Sequence, residues 1–388
     1  MSKKVIIIGN GIAGTTCARH IRKQSDFEIT VISSESKYFY SRTALMYIYM
    51  GHMKQEHTQP YENYFWEKNR INLLQEHVQK IEPSQNFIVL NNGIKMQYDY
   101  LVIATGSNSN KFGWPGEDLQ GVQGLCNLQD LQTMQENTVG IEHAVVVGGG
   151  LIGIETVEML LSRNIKVSFL IREKSFWDAV LPTEESEMIN KLIKLHHVDL
   201  QLETELKEIK ADSNGKVSSI ITSKGEEIKC GFVALTVGVS PNISIVKHTT
   251  IETEIGILVN NNFQTNVENI YSVGDCVQFK TPVEGRKAIE QVWYTGKMHG
   301  ETAAKNIVGI NAVYQPGHWF NSAKFFDLEY QTYGFIPAQK TENDEWFWWH
   351  DAKVQKGIRI MWDKNNLAFK GLNSFGIRIK HHFISRFF

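Results

Sequence analysis

Cysteine is scarce in this sequence of 388 residues, and its few copies are scattered. No two of them have the spacing of a CxxC or CxxxxC redox pair or of a zinc site. Most free cysteines in proteins are simply packed, so we expect a structural role for all four, Cys17, Cys126, Cys230 and Cys276. The sequence therefore predicts neither a redox-active disulfide nor a metal site.

Long apolar runs and an excess of one charge are also missing. No run reaches the roughly 18 apolar residues that a membrane-spanning helix needs, and the N-terminus MSKKVIIIGNGIAG has no cleavage site. Lys and Arg total 40 against 42 for Asp and Glu, which gives no global electrostatic argument for nucleic acid or an anionic membrane as the main partner. We expect a cytoplasmic protein of two or three domains that binds small ligands.

The strongest local motif lies near the N-terminus. An apolar run over Val5–Ile8 predicts a strand, and Gly9-Asn10-Gly11-Ile12-Ala13-Gly14 follows it at the start of a helical pattern. In this GxGxxG spacing, Gly9 permits the tight turn, Gly11 lets backbone N–H groups reach a pyrophosphate, and Gly14 allows close packing of helix on strand. A second predicted strand, 28–33, ends near Glu35, at about the distance expected of an acid that binds ribose hydroxyls.

The same pattern occurs again in the middle of the chain. A predicted strand, 144–147, precedes Gly148-Gly149-Gly150-Leu151-Ile152-Gly153, and a helix over 154–162 and a strand over 166–171 follow. The distance between the two fingerprints is too long for a single fold and suits one nucleotide domain inserted within another. The simplest interpretation is that one dinucleotide stays bound while the other visits.

Two further segments complete the pattern. Tyr98-Asp99-Tyr100-Leu101-Val102-Ile103-Ala104-Thr105-Gly106-Ser107 closes the first half, and Ile270-Tyr271-Ser272-Val273-Gly274-Asp275-Cys276 follows the second fold. With these four motifs the chain, over about 5–308, resembles the pyridine nucleotide-disulfide oxidoreductase superfamily. Within it, the chain resembles the branch of ferredoxin, rubredoxin and nitrite reductase flavoproteins and apoptosis-inducing factor.

The resemblance implies an α/β fold with two Rossmann-like domains, one for FAD and one for NAD(P)H, one inserted in the other. The FAD-binding domain would comprise 1–115 and 243–311, the NAD(P)H-binding domain 116–242, and a small α+β interface-like domain 312–388. That last part is rich in aromatic residues and ends in a basic and aromatic tail, Arg378 to Phe388. A folded aromatic core and a partner or membrane-interface surface are both open for this tail, and a homodimer is also open.

The resemblance also implies a role for each motif. The residues expected to bind FAD are Gly9, Gly11, Gly14, Ser34 or Glu35, Arg42, Thr105, Gly106, Gly274, Asp275, Gln291 and Trp293. The residues expected to bind the nicotinamide nucleotide are Gly148, Gly150, Gly153, Glu155, Arg172 and Gly238, with Glu155 near the nicotinamide. A helix after Asp275 is expected to ease the negative charge of reduced flavin.

Several of these residues have a purely structural alternative. Asp275 suits a helix N-cap, Arg42 an ordinary surface ion pair, Trp293 an aromatic core, and Glu155 an acid favoured by the helix dipole. Arg172 could pair in solvent with Glu173.

The chain also departs from the branch. Where the branch has Pro-Pro-Leu-Ser-Lys after its arginine, this chain has Thr43-Ala44-Leu45-Met46-Tyr47, so the lysine is missing. Ser34 stands where the branch has an acid, which leaves the ribose contact uncertain by one position. The early cysteine of peroxide-reducing, oxygen-reducing and coenzyme A-disulfide relatives is absent, so thiol chemistry is not supported.

The resemblance predicts an FAD-dependent NAD(P)H oxidoreductase that passes electrons to an unidentified acceptor, either a redox protein, a quinone or a small molecule. No nucleophile, acid or base is required of the protein. The alternative is a redox- or nucleotide-sensing flavoprotein that acts through partner binding with little turnover. Arg172 resembles the arginine that NADP-dependent glutathione reductases place against the 2′-phosphate of the nucleotide. This resemblance predicts that the protein uses both nucleotides, with a modest preference for NADPH.

Overall fold

The computed structural model describes residues 2–384, so the last four residues of the predicted tail, 385–388, lie outside the described residues. Within 2–384 the strands are β1 Lys4–Ile8, β2 Glu28–Ser33, β3 Ile71–Gln75, β4 Val78–Glu82, β5 Phe87–Leu90, β6 Lys95–Gln97, β7 Tyr100–Ile103, β8 Ser107–Ser109, β9 Val122–Gln123, β10 His143–Val147, β11 Lys166–Leu170, β12 Asp199–Gln201, β13 Leu206–Ala211, β14 Val217–Thr222, β15 Glu227–Lys229, β16 Phe232–Leu235, β17 Val239–Pro241, β18 Ile257–Val259, β19 Ile270–Ser272, β20 Val277–Phe279, β21 Phe320–Phe325, β22 Leu328–Gly334, β23 Asp344–Asp351, β24 Lys356–Asp363 and β25 Phe369–Phe375. The α-helices of the same part are α1 Ile12–Gln24, α2 Leu45–Tyr49, α3 Tyr64–Lys68, α4 Leu128–Asn137, α5 Leu151–Leu161, α6 Thr183–Leu195, α7 Trp293–Ile307 and α8 His381–Ile384. None of these helices combines the length and apolar character needed to cross a bilayer.

The chain divides into two compact units. The first unit contains residues up to 108 together with 126–129 and 239–316, and the second contains 109–125, 130–238 and the chain from 317 onward. Each unit contains one of the two glycine fingerprints, and the C-terminal part belongs to the second unit. The finer domain boundaries suggested by the sequence stay a prediction.

The first unit is built on a parallel sheet in the order β19-β7-β1-β2-β3. Its central strand β1 is almost wholly apolar, with Val5, Ile6 and Ile7 no more than 2% exposed, because strands of a parallel sheet are covered on both faces. Helix α1 returns along this sheet and packs on α7, where Gly300 is needed because a Cβ there would lie 2.3 Å from the carbonyl oxygen of Ala13.

The second unit repeats this plan. Its parallel sheet has the order β12-β11-β10-β16-β9, and β10 pairs in register with β11 on one side and β16 on the other. An antiparallel sheet, β13-β14-β15, accompanies it. The prediction of two Rossmann-like domains, with a further C-terminal domain, is therefore confirmed.

Most predicted elements agree with the structure to within a residue or two, and two differ. Helix α5 begins at Leu151 rather than at 154, because Gly150 is its N-cap residue in an extended conformation, as Gly11 is for α1. The prediction of a helix directly after Asp275 is wrong, because strand β20 follows there and the next α-helix is α7.

The C-terminal part of the second unit is an antiparallel sheet in the order β21-β22-β25-β24-β23. Helix α8 covers one end of it, with Ile384 buried beside Tyr333 and Leu372, and the ring centre of His381 lies 4.6 Å from that of Phe320, with the two rings tilted by 54°. As far as Ile384, the aromatic tail therefore packs on a folded core, although Phe383 is 57% exposed.

A buried arginine joins this sheet to the nucleotide-binding part of the second unit. Arg359, on β24, is fully buried and donates from Nε to Glu185 (2.7 Å) and from Nη2 to Glu184 (2.8 Å), both in the first turn of α6. Asn373 on β25 donates to the second carboxylate oxygen of Glu185. Burial raises the pKa of Glu185 to about 7, and Arg359 and Asn373 oppose the rise. These contacts offset part of the cost of burying the group, although Nη1 of Arg359 has no hydrogen-bond partner in the described part of the chain.

Aromatic rings complete the surroundings of that arginine. The guanidinium carbon lies 4.5 Å from the ring centre of Trp346 and 5.0 Å from that of Trp348. Both rings come from the edge strand β23. Part of the aromatic content of the C-terminal region therefore serves as a cation-π support for Arg359.

We predict that Arg359→Met lowers the free energy of unfolding by about 3–5 kcal/mol, because it leaves the Glu185 carboxylate buried without its cation. Urea unfolding followed by tryptophan fluorescence measures this change. Arg378→Met is the matched control, because Arg378 is 79% exposed in its pair with Glu329 and should cost less than about 1 kcal/mol. Equal losses of unfolding free energy in Arg359→Met and Arg378→Met would contradict the stabilising role of the buried Arg359.

Candidate functional site

The residues predicted to bind FAD come together at one edge of the first sheet. The fingerprint follows β1, Ser34 and Glu35 follow β2, Thr105 and Gly106 follow β7, and Gly274 and Asp275 follow β19. These strands are neighbours in the order β19-β7-β1-β2 and run parallel, so their carboxyl ends lie side by side. Ligands of open α/β sheets bind outside this edge.

The three fingerprint glycines have different physical reasons to lack a side chain. Gly9 has φ of +110°, and a Cβ there would lie 2.1 Å from the carbonyl oxygen of Ala104. A Cβ at Gly14 would lie 2.1 Å from the carbonyl oxygen of Gly9. Gly11 is different, because a Cβ there would meet no protein atom within 4 Å. The space in front of Gly11 therefore suits a ligand that approaches the backbone at the N-terminus of α1.

The turn after β7 and the Gly-Asp motif are tied to their surroundings by hydrogen bonds. Thr105 donates to the carbonyl of Asn242 (2.6 Å), and the N–H of Asn242 donates to the carbonyl of Gly106 (2.9 Å). Ser107 donates to Asp275 at 3.3 Å. Burial raises the pKa of Asp275, although Ser107 and the charge of Arg42 oppose the rise. No helix begins at Asp275, so its predicted N-cap alternative does not apply.

Glu35 and Arg42 form a close pair. Arg42 donates from Nη2 to Oε2 of Glu35 (2.6 Å) and from Nη1 to Oε1 (3.1 Å), and Tyr40 and the N–H of Leu128 also donate to Oε1. Burial opposes the charge of Glu35, but Arg42 with these donors holds the pKa of this carboxyl below its usual value. Glu35 is thus ionised and largely satisfied by protein donors, while Ser34 is exposed beside it.

Gln291 and Trp293 lie at the start of α7. Gln291 donates from Nε2 to the carbonyl of Asp275 at 3.5 Å, which brings this segment to the Gly-Asp motif. Trp293 is the first residue of α7 and is 36% exposed, so it is not an ordinary core aromatic.

A buried polar group lies behind the Gly-Asp motif, Gly274-Asp275. The N–H of Gly274 donates to Nδ1 of His299 at 3.2 Å, and Glu290 accepts from Tyr314 at 2.7 Å and from Arg286. Burial lowers the pKa of His299, which keeps the imidazole neutral and able to accept that bond. No motif marks His299, because its partner is 25 residues away.

The second fingerprint has the same geometry as the first. Gly148 has φ of +112°, and a Cβ there would lie 2.6 Å from the carbonyl oxygen of Thr236. A Cβ at Gly153 would lie 2.2 Å from the carbonyl oxygen of Gly148, whereas one at Gly150 would meet nothing within 4 Å. Gly238, with φ of +89°, ends the neighbouring turn and accepts from the N–H of Asn110.

Glu155 lies on α5, directly after this loop. Burial and the neighbouring Glu158 raise its pKa to about 7, and Lys324 opposes the rise. The sequence analysis did not identify Glu158 and Lys324 as site residues. Glu158 is recognisable in the sequence as the helix neighbour of Glu155. No sequence pattern connects Glu158 with Lys324 on β21. The two are 166 residues apart and 2.8 Å from each other.

Arg172 lies just beyond β11. Its Nε donates to Glu173 at 2.6 Å, and its side chain is 74% exposed. The strand-end residue before it, Ile171, is buried. Both Arg172 and Glu173 therefore stand at the edge where an adenosine ribose is expected, and the structure brings them into contact with each other.

Comparison with known proteins identifies the family of this chain. The family model described as pyridine nucleotide-disulphide oxidoreductase matches residues 3–300. The chain belongs to this family. It is an FAD-dependent oxidoreductase that uses NAD(P)H, and it lacks the redox disulfide, since none of its four cysteines is disulfide-bonded. The open positions in front of Gly11 and Gly150 fit the pyrophosphates of the two cofactors.

Individual relatives are similar over most of this chain. NADH oxidase of Methanocaldococcus jannaschii is 32% identical over 84% of this chain and 75% of its own length. The assimilatory nitrate reductase electron transfer subunit of Bacillus subtilis is 27% identical over 79% of this chain, which is only 39% of its own length. The crystal structure of a ferredoxin reductase from Rhodopseudomonas palustris matches with a TM-score of 0.88 at 21% identity, covering 97% of this chain and 91% of that one.

Gly11→Val and Gly150→Val form a matched pair of tests. Both positions have extended backbone that any residue adopts, and a Cβ at either would meet no protein atom within 4 Å, so we expect both variants to fold. We predict that Gly11→Val weakens FAD binding at least about tenfold, a loss of about 1.4 kcal/mol, and purifies colourless. Gly150→Val should stay yellow but resist reduction by NAD(P)H. Visible spectra before and after anaerobic NADH or NADPH measure both, and a fully flavin-loaded Gly11→Val protein would refute the assignment.

The nucleotide preference is tested at Arg172 and Glu173. If Arg172 contacts the 2′-phosphate, Arg172→Ala weakens NADPH by about 1.5–3 kcal/mol, the strength of a charge-assisted hydrogen bond, and leaves NADH nearly unchanged. Glu173→Gln should instead favour NADPH, because it removes a repelling charge. Dissociation constants for both nucleotides decide this; a strong preference for NADH that Arg172→Ala does not alter would identify Glu173 as the ribose acid.

Proposed function

We propose that this flavoprotein is an NAD(P)H:acceptor oxidoreductase whose electrons leave FAD directly for an external acceptor, with a small redox protein as the first candidate. The observation that carries the proposal is the pair of matching glycine loops, each with an open position for a pyrophosphate, in a chain whose cysteines form no disulfide. Relatives named for ferredoxin reduction and for electron transfer support a redox protein as the acceptor.

The cysteines are poorly suited to a thiol relay. Cys17, Cys230 and Cys276 are buried, and burial raises the pKa of Cys230 to about 12 and the pKa values of Cys17 and Cys276 as well. The thiolate is the reactive form, so these groups are inert at neutral pH. Cys126 is partly exposed, and its carbonyl accepts from Arg42. The four cysteines therefore do not form an accessible dithiol that could accept electrons from a flavin.

The residues of the chain bind and orient the cofactors. When bound, FAD accepts hydride from NAD(P)H and releases electrons singly or in pairs. The N-termini of α1 and α5 would present their unpaired N–H groups to the two pyrophosphates. Thr105 and Asn242 hold the turn after β7, and the neutral His299 holds the Gly-Asp motif through the N–H of Gly274. No side chain has to donate or accept a proton for hydride transfer itself.

The proposal is tested by anaerobic flavin reduction and by turnover with a panel of acceptors. We expect NADH or NADPH to bleach the flavin spectrum. We also expect a redox protein such as a ferredoxin or rubredoxin to be reduced faster than the other acceptors tested, a quinone and dioxygen. Replacing Cys17, Cys126, Cys230 and Cys276 together by serine or alanine should keep flavin reduction within about a factor of ten, which allows about 1.4 kcal/mol for packing losses.

Each other outcome has a defined meaning. Fast turnover with a quinone or dioxygen, but not with redox proteins, would replace the redox-protein acceptor. Loss of reduction in a folded, flavin-loaded cysteine variant would contradict direct transfer. A long-lived reduced complex with negligible turnover on every acceptor would overturn the enzyme proposal in favour of a nucleotide sensor that acts through partner binding.

A further inference from the structure

Two carboxylates of the nucleotide-binding part share a lysine from the C-terminal sheet. Glu155 and Glu158 lie one turn apart on α5, which begins at the second fingerprint. Lys324, on β21, places its Nζ 2.8 Å from Oε1 of Glu158, and its charge also acts on Glu155. Two distant parts of the second unit therefore build one charged cluster.

Burial makes the charges of this cluster interdependent. The Glu158 side chain is only 16% exposed, and its Oε2 is buried with no hydrogen-bond partner within residues 2–384. A buried carboxylate of this kind needs an opposite charge or donors nearby, and Lys324 supplies the opposite charge. Two carboxylates and one ammonium leave the group with a net negative charge when all three are ionised, and with none when one carboxylate is protonated.

Few other charges face the cluster. Helix α5 packs on β10, β11, β16 and β21. Apart from Lys324, the titratable residues of these strands are His143 and Lys166, the first residues of β10 and β11, at the edge of the sheet opposite the fingerprint. Burial and Glu158 raise the pKa of Glu155 to about 7, and Lys324 lowers it, so the cluster changes charge near neutral pH.

The nicotinamide ring is cationic in the oxidised nucleotide and neutral in the reduced one. An ionised carboxylate near the ring stabilises the oxidised form, and a protonated one does not. We propose that Lys324 is a positioning residue of the nucleotide site, which sets the charge of the Glu155–Glu158 pair and thereby the preference of the site between oxidised and reduced nicotinamide. This inference rests on the proposed function, because it requires Glu155 to lie at the nicotinamide.

The test measures binding rather than turnover. Dissociation constants of NAD⁺ and of 1,4,5,6-tetrahydro-NAD, which has a neutral ring and cannot donate hydride, are measured on the flavin-loaded protein between pH 5.5 and 9. Deprotonation of Glu155 as the pH rises should tighten NAD⁺ relative to the neutral analogue, with a midpoint near pH 7 in the unchanged protein. Glu155→Gln should make the ratio independent of pH.

Variants of the two neighbours should move this midpoint in opposite directions. Lys324→Met removes the cation and should raise the midpoint by about one pH unit, whereas Glu158→Gln removes a like charge and should lower it. Lys324→Arg keeps the charge and should restore the original midpoint. Lys370→Met is the matched control, because Lys370 pairs with Asp344 and Asp363 within the same sheet and should leave the midpoint unchanged.

Two results would overturn the inference: a ratio that does not depend on pH in the unchanged protein, or the same midpoint in Lys324→Met and Lys370→Met. If Lys324→Met fails to fold, Lys324→Gln, which removes the charge but keeps a polar side chain, takes its place, and its midpoint must lie above that of Lys370→Met. Failure of the proposed function is distinguishable, because the flavin would then not be reduced by either NADH or NADPH.

Discussion

The close approach of a glycine to the end of the neighbouring strand is the constraint on which both cofactor sites depend. Gly9 comes so near the carbonyl of Ala104 that no side chain fits between them, and Gly148 does the same at Thr236. This contact fixes where each loop ends and therefore where α1 and α5 begin. The helix N-termini, with their unpaired N–H groups, are then set at the sheet edge where a pyrophosphate can reach them.

The two sites share this backbone geometry but differ in their charges. Around the first, Glu35 and Arg42 neutralise each other, and burial raises the pKa of Asp275 against the opposing effects of Ser107 and Arg42. The second has the Glu155–Glu158 pair with a single lysine beside it. A cofactor that stays bound needs a stable environment. A nucleotide that must leave after giving up hydride is affected by nearby carboxylates, because its ring becomes cationic on oxidation.

The C-terminal sheet contributes to the second unit in two ways. Arg359 fastens it to the first turn of α6 through Glu184 and Glu185, and Lys324 extends from it to α5. The first contact is buried and structural, while the second lies beside the nucleotide loop. A sheet that looks in sequence like an appended aromatic domain therefore carries a residue of the proposed site, since the arginine keeps it against the helices.

The sequence by itself determined the two dinucleotide folds, their motifs and the absence of a redox disulfide, because these depend on local patterns: apolar strands, glycine spacing and the positions of cysteines. It could not determine the strand that replaces the expected helix after Asp275, the capture of Glu35 by Arg42, or the pairing of Glu158 with Lys324. Those outcomes depend on groups brought together from distant parts of the chain. Only tertiary packing, which decides burial and hence the strength of each charge interaction, selects them.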